Sequence, residues 1–156
     1  MKRIIYSLYV DVPEKEHYGP SKFKYDTLEK ALETRNSFKD NYKQLVNVKR
    51  EYAKDIGVPF IMYEYDNQYQ TFEKNLLKDF PELTGYEIIN FYKIHLLYEL
   101  AKEYDEILYL DFDAIPVTKD CFFTHWNLSK GICVYNNNVM VNKNNRTIDK
   151  MIHGIR

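Results

Sequence analysis

Apolar runs separated by polar stretches predict a series of short β-strands. The first run, RIIYSLYV, is apolar, aromatic and β-branched, and Asp11 and Pro13 close it, so it predicts a buried strand. The runs VPFIMYEY and EILYL have the same character. The predicted strands cover residues 3–10, 58–65, 106–110, 131–135 and 139–141.

Helical periodicity fills the stretches between these strands. Apolar positions recur at helical spacing over residues 27–56, with a break near residue 40, and Gly57 predicts the end of this region. Asp26 and Glu29 have the spacing of an N-cap and its capping-box partner. Further helices are predicted over residues 72–80, 86–103 and 147–155.

The alternation of strands and helices predicts the fold class. It is typical of an α/β protein with a Rossmann-like, mostly parallel sheet and helices on both faces. The chain has 156 residues, of which 45% are hydrophobic and 29% charged, which suits one globular domain spanning residues 1–156.

Charge and hydropathy narrow the classes of partner. Lysine and arginine number 22 against 23 acidic residues, so no net field attracts nucleic acid. The apolar run at the amino terminus is too short for a signal peptide or a membrane span. We therefore expect a cytoplasmic protein that binds neither nucleic acid nor a bilayer.

Two carboxylates follow the third strand directly, at Asp111 and Asp113. Ligands of parallel sheets bind at the carboxyl ends of strands. An Asp-x-Asp sequence in extended chain directs both side chains to the same side, where they can hold Mg²⁺ or Mn²⁺. The alternative is a solvated strand end or a helix cap.

A lysine on the preceding helix strengthens the metal-site interpretation. Lys93 shares a helical face with Ile89 and Leu96, so its ammonium leaves from the face that packs on the sheet. The helix from Lys93 to its end spans roughly 15 Å and the returning strand roughly 17 Å, which places Lys93 level with the carboxylates. Asn90 lies one turn earlier on the same arc. The alternative is a lysine that extends to solvent along the sheet edge.

These residues resemble those of a known family. Two aspartates, a metal and a lysine are what binding of a diphosphate requires. The segment KIHLLYELAKEYDEILYLDFDAIPV resembles the central stretch of GT-A glycosyltransferases, especially glycogenin-like and related galactosyltransferases, in which a helix with a basic residue precedes a strand ending in DxD. YNNNVMVN is similar to the strand that lines the donor sugar in that family, with Asn136 at the sugar-contacting asparagine and Asn138 where glycine is usual.

The resemblance implies a metal-dependent glycosyltransferase of the hexosyltransferase type. It would move a sugar from a nucleotide-diphosphate sugar, with UDP favoured, to the hydroxyl of a carbohydrate or other acceptor. Asp111 and Asp113 would bind the metal. The implied donor-binding residues are Lys93, Asp111, Phe112, Asp113, Asn136, Asn138, Leu8, Tyr9, Val10 and Asn90. For Leu8, Tyr9 and Val10, an ordinary core strand is the alternative, and no catalytic base is identified.

Several alternatives stay open. Family members continue past the asparagine-bearing strand into an acceptor-binding half, so the domain is expected to be incomplete at its carboxyl terminus. The chain would then be a fragment, a truncated gene product, or a minimal enzyme completed as a homo-oligomer. A binding module that keeps the donor site without turnover is the main functional alternative. A haloacid-dehalogenase-like phosphatase also begins with Asp-x-Asp, but that motif normally lies near the start of its domain.

Overall fold

A computed structural model describes residues 1–11 and 28–131 of the chain. The elements are β1 (Arg3–Leu8), α1 (Leu28–Asp40), α2 (Tyr42–Asp55), β2 (Phe60–Tyr63), α3 (Asn67–Asp79), α4 (Gly85–Leu100), β3 (Glu106–Tyr109), α5 (Phe122–His125) and a 3-10 helix (Leu128–Lys130). Apart from Gly131, the two later strands and the last helix of the prediction lie outside the described residues, as does Asp26 of the predicted capping box.

The three strands form one parallel sheet in the order β2-β1-β3. Ile5 in the central strand pairs with Phe60 on one side and with Leu108 on the other. This confirms the prediction of an α/β fold with a parallel sheet. Each strand is shorter than predicted because the ladder ends early: β1 stops at Leu8, for example, although Tyr9 still donates a backbone hydrogen bond to Tyr63.

Both faces of β1 are buried, as is usual for a central parallel strand. Ile4, Tyr6 and Leu8 point to one face, because side chains alternate along a strand. There they join the main hydrophobic core with residues of α3 and α4, namely Tyr69, Ile88, Tyr92, Leu96 and Leu100. Ile5 and Ser7 are fully buried on the other face.

Helix α2 packs against β2 and ends in a glycine turn. Gly57 has a φ of +69°, a backbone conformation that side chains disfavour. The amide of Val58 donates to the carbonyl of Ala53, and that of Gly57 donates to the carbonyl of Lys54. This is a Schellman motif, so the predicted stop at Gly57 is confirmed.

Polar caps fix where α3 and α4 begin. Helix α3 begins at Asn67, five residues before the prediction, because the side chain of Asp66 accepts from the amide of Tyr69. Thr84 and Glu87 form a capping box at the start of α4. Helix α4 ends at Leu100, three residues earlier than predicted. The predicted break near residue 40 is confirmed, since α1 ends at Asp40 and α2 begins at Tyr42.

Contacts within the chain define two compact units, Met1–Cys121 and Phe122–Arg156. The first contains the sheet and α1 to α4. In the second, α5 and the 3-10 helix were not predicted, and the ring of Phe122 stacks on that of Trp126 with their centroids 6.1 Å apart. Among the described residues, none of the helices has both the length and the apolar composition that crossing a bilayer requires.

Candidate functional site

A cavity of about 230 Å³ opens beside the carboxyl ends of β1 and β3. This is the edge of a parallel sheet at which ligands usually bind. It brings together seven of the residues predicted for the donor site, which are Leu8, Tyr9, Val10, Lys93, Asp111, Phe112 and Asp113.

The Asp-x-Asp segment lies on a turn rather than on extended chain. Strand β3 ends at Tyr109, and the amide of Ala114 donates a 2.9 Å hydrogen bond to the carbonyl of Asp111. The expectation that strand alternation aligns the two carboxylates was therefore wrong. Asp111 and Asp113 nevertheless line the same cavity, because they lie on either side of a turn at Phe112.

Asp111 is held by three donors at one oxygen. Its Oδ1 lies 3.1 Å from Nζ of Lys93, 2.8 Å from the hydroxyl of Tyr109 and 3.3 Å from the amide of Phe112. Burial alone would raise the pKa of this carboxyl. The charge of Lys93 and the hydrogen bonds from Tyr109, Lys93 and the Phe112 amide outweigh burial and leave the pKa below its ordinary value. Asp111 is thus an anchored anion at neutral pH.

Lys93 lies at the predicted depth, level with Asp111. The hydroxyl of Tyr6 donates a 2.9 Å hydrogen bond to the backbone carbonyl of Lys93, which ties α4 to β1 at this residue. The ammonium also lies 5.3 Å from the centre of the Tyr109 ring. Burial, together with the charge of Asp111, raises the pKa of Tyr109, so its hydroxyl remains a donor.

The carboxylates suit a divalent cation that arrives with phosphate. Asp113 is exposed, and its side chain makes no hydrogen bond or ion pair with the described part of the chain. Mg²⁺ is commonly bound by one or two protein carboxylates together with substrate phosphates and water. Asp111 and Asp113 fit that donor set. Within residues 1–11 and 28–131, no group of three or more His, Cys, Asp or Glu side chains is placed to hold a metal.

Aromatic rings form one wall of the cavity. The ring of Tyr9 stacks on that of Phe112 with their centroids 4.5 Å apart. Phe38 meets both rings edge-on, and Tyr42 packs against the same pair. The Phe112 ring is buried in this cluster and anchors the turn between the two aspartates.

A charged cluster that the sequence analysis missed lies at the rim. Arg35 donates to both carboxylate oxygens of Asp11, at 2.6 and 3.1 Å, and Nζ of Lys39 lies 2.9 Å from Oδ2 of Asp11. Asp11 had been assigned only the role of closing the first strand. The hydrogen bond from Arg35 is the main cause that lowers the pKa of Asp11. This cluster ties the end of β1 to α1.

Lys49 is the second functional candidate that the sequence analysis missed. It lies in α2 and is fully buried. Its Nζ donates to the carbonyl of Phe112 at 2.6 Å and to that of Leu45 at 3.1 Å. The signal was present in the sequence, because position 49 falls on the apolar face of α2 with Val46 and Tyr52.

Other predicted residues lie elsewhere. Asn90 is half-buried and is not part of the cavity wall, while Asn136 and Asn138 lie outside the described residues. Tyr69 belongs to the hydrophobic core. His95, two residues after Lys93, stacks on Phe72 with their ring centroids 4.9 Å apart and so packs within the fold.

Comparisons of the chain with protein-family models, curated proteins and solved structures find no match.

Proposed function

We propose that this chain binds a nucleotide-diphosphate sugar together with Mn²⁺ or Mg²⁺ and transfers the sugar to an acceptor hydroxyl. The observation that carries the proposal is the meeting of Lys93 and Asp111 at the mouth of a cavity that Asp113 also lines. A cation and two carboxylates in one place suit a metal-bound diphosphate, in which both signs of charge are present.

The surroundings of this charged group support a nucleotide rather than a bare phosphate. The cavity continues from the carboxylates along the aromatic cluster of Tyr9 and Phe38 toward Asp11. The cavity wall therefore combines the charged groups of Lys93, Asp111 and Asp113 with the rings of Tyr9 and Phe38, and the Asp11–Arg35 ion pair lines it as well. A diphosphate at Lys93 would direct the attached nucleoside toward the end of β1, as the resemblance to GT-A enzymes implies.

The fold is compatible with this assignment. A parallel sheet with its ligand edge at β1 and β3 is the core that a Rossmann-like GT-A domain would need. The GT-A arrangement itself belongs to the proposal, as does the choice of a UDP-sugar.

In the transfer step, the acceptor oxygen forms a bond to the anomeric carbon while the bond from that carbon to the donor phosphate oxygen breaks. The bonding pair leaves on the nucleoside diphosphate, and the acceptor proton passes to a base or to water. Lys93 stabilises the charge that grows on the departing phosphate. Asp111 and Asp113 would hold a divalent cation, which when bound would supply Lewis-acid stabilisation of the same charge.

Titration calorimetry with UDP and UDP-sugars, with and without Mn²⁺, tests the donor site. We expect binding that requires Mn²⁺ and that disappears in Asp111→Ala and in Asp113→Ala. Asp79→Ala, at the exposed end of α3, is the matched control and should bind as the wild type does. The donor site would be rejected if the wild type bound no nucleotide diphosphate, or if all three variants bound equally.

Turnover distinguishes the enzyme from a binding module. We expect release of UDP from a UDP-sugar in the presence of Mn²⁺ and a hydroxyl acceptor. A coupled enzymatic assay or phosphorus NMR measures this release. Tight, metal-dependent binding without any release of UDP would contradict transfer and support a module that only binds the donor.

A further inference from the structure

Lys49 is an unusual residue for the position that it occupies. Lysine is almost never fully buried without a partner, because removing an ammonium from water costs free energy. Lys49 has no exposed surface, yet its closest described partners are backbone carbonyls, of Phe112 and Leu45, rather than carboxylates. A methionine would fill the same space on the apolar face of α2 at lower cost.

The contact with Phe112 is the informative one. The bond to Leu45 is local, since that residue lies one turn earlier in the same helix. The bond to Phe112 joins positions 63 residues apart and ends on the peptide bond between Phe112 and Asp113. The ammonium also lies 5.4 Å from the centre of the Phe112 ring, so it holds both the backbone and the side chain of this residue.

We infer that Lys49 is the positioning residue of the Asp111–Asp113 turn, holding the carbonyl of Phe112 inward so that both flanking carboxylates face the cavity. A peptide carbonyl turned into an apolar interior needs a donor. Lys49 supplies it with a charged hydrogen bond, which is stronger than a neutral one. Helix α2 thereby orients the turn through the Phe112 carbonyl, while Lys93 and Tyr109 bind the side chain of Asp111.

The ordering of the turn does not depend on what the cavity binds, whereas the effect on nucleotide affinity rests on the proposed function. The experiment therefore uses two readouts. Hydrogen–deuterium exchange with mass spectrometry follows the amides of residues 110–114, and calorimetry follows binding of UDP with Mn²⁺.

Lys49→Met removes the donor and shortens the unbranched side chain by one heavy atom. Val46→Ala is the matched control, because Val46 is also buried on α2 but its side chain has no hydrogen-bond donor. We expect exchange over residues 110–114 to rise about tenfold or more in Lys49→Met, relative to the rest of the chain, because a charged hydrogen bond is lost there. In Val46→Ala, the change in amide exchange should be the same for residues 110–114 as for the rest of the first unit, Met1–Cys121.

Equal changes in the two variants, or an unchanged 110–114 segment in Lys49→Met, would overturn the inference. Lys49→Arg retains a charged donor and should restore part of the protection, which a role in filling space would not explain. If wild-type protein binds no UDP with Mn²⁺, the proposed function fails while the exchange result still decides the role of Lys49.

A measurement on the wild type covers the case in which Lys49→Met does not fold. With ¹⁵N in lysine Nζ and ¹³C in the phenylalanine carbonyls, NMR should show one slowly exchanging Nζ coupled across a hydrogen bond to the carbonyl of Phe112. The absence of that coupling in folded protein would overturn the inference by itself.

Discussion

The hydroxyl of Tyr6, in the central strand, donates to the backbone carbonyl of Lys93, and the side chain of the same lysine reaches Asp111. The bond from β1 therefore fixes the position of Lys93 along the sheet. Its ammonium lies at the carboxyl ends of the strands, where the cavity opens. Lys93 is half-buried rather than extended into solvent, which leaves its ammonium beside the carboxylate.

Lys93→Met should weaken binding of UDP with Mn²⁺ by about ten- to a hundredfold, since hydrogen bonds to charged groups contribute about 1.5 to 3 kcal/mol. Calorimetry measures the change. Lys102→Met is the control, because Lys102 pairs with Glu99 on the surface, away from the cavity. Equal losses in the two variants would show that the effect is one of net charge alone.

Metal and nucleotide should bind cooperatively. Asp111 and Asp113 offer too few ligands to fill the coordination shell of Mn²⁺, so the phosphates of UDP complete it. We expect each ligand to raise the affinity for the other by the same factor, about tenfold or more. Titrating Mn²⁺ with and without UDP, and UDP with and without Mn²⁺, measures both sides. Independent binding of the two would contradict a shared site.

The ion pairs of Asp11 should stabilise the fold in a pH-dependent way. Arg35 and Lys39 depress the pKa of Asp11, so the stabilisation is present above the unfolded-state pKa of about 3.9 and is lost as the pH falls through the lower folded-state value. Asp11→Asn should lower the free energy of unfolding by about 1 kcal/mol or less at pH 7, because the pairs are partly exposed.

Urea denaturation at pH 7 and at pH 3 tests this dependence. The difference between wild type and Asp11→Asn should shrink at the lower pH. Asp55→Asn is the comparison, since the nearest ammonium, that of the exposed Lys119, lies 4.0 Å away. A deficit in Asp11→Asn that persists at pH 3 would mean that packing, rather than charge, causes it.

Removing the hydroxyl of Tyr92 and removing that of Tyr6 should change the free energy of unfolding in opposite directions. Burial raises the pKa of Tyr92 to about 12, so the group keeps its proton, yet it has no hydrogen-bond partner within the described part of the chain. Tyr92→Phe should therefore raise the free energy of unfolding by about 1 kcal/mol, whereas Tyr6→Phe should lower it by a similar amount because its bond to Lys93 is lost.

Thermal and urea unfolding of the two variants provide the measurement. Both rings stay in the core, so the pair isolates the hydroxyl groups from packing. Destabilisation of both variants to the same extent would point to an ordered water molecule that serves Tyr92.

Sequence patterns predicted the three described strands and the depth of Lys93 because both follow from periodicity and from the rise per residue. The start of α3 was placed five residues late, because the N-cap at Asp66 was not recognised. Thr84 and Glu87 have the spacing of a capping box, and this signal was visible but was not used. The sequence also showed that Lys49 falls on the apolar face of its helix, but it did not show that the Phe112 carbonyl is its partner.

The remaining features of the site depend on tertiary contacts. Nothing in the order of residues shows that Arg35 folds back onto Asp11, or that Phe112 turns its ring toward Tyr9. The turn at Asp111 was missed for a related reason. The end of a strand is set by where its neighbour stops pairing, and β3 loses its ladder after Tyr109.

The bonds from Lys49 to Phe112 and from Tyr6 to Lys93 span 63 and 87 positions of the sequence. Contacts between positions so far apart close long loops, which costs conformational entropy and slows folding. The geometry of Asp111 and Asp113 therefore depends on residues of β1, α2 and α4 being assembled around them. A nascent chain that still holds residue 113 inside the ribosome would lack the contacts from Lys49 and Lys93 that orient the Asp111–Asp113 turn.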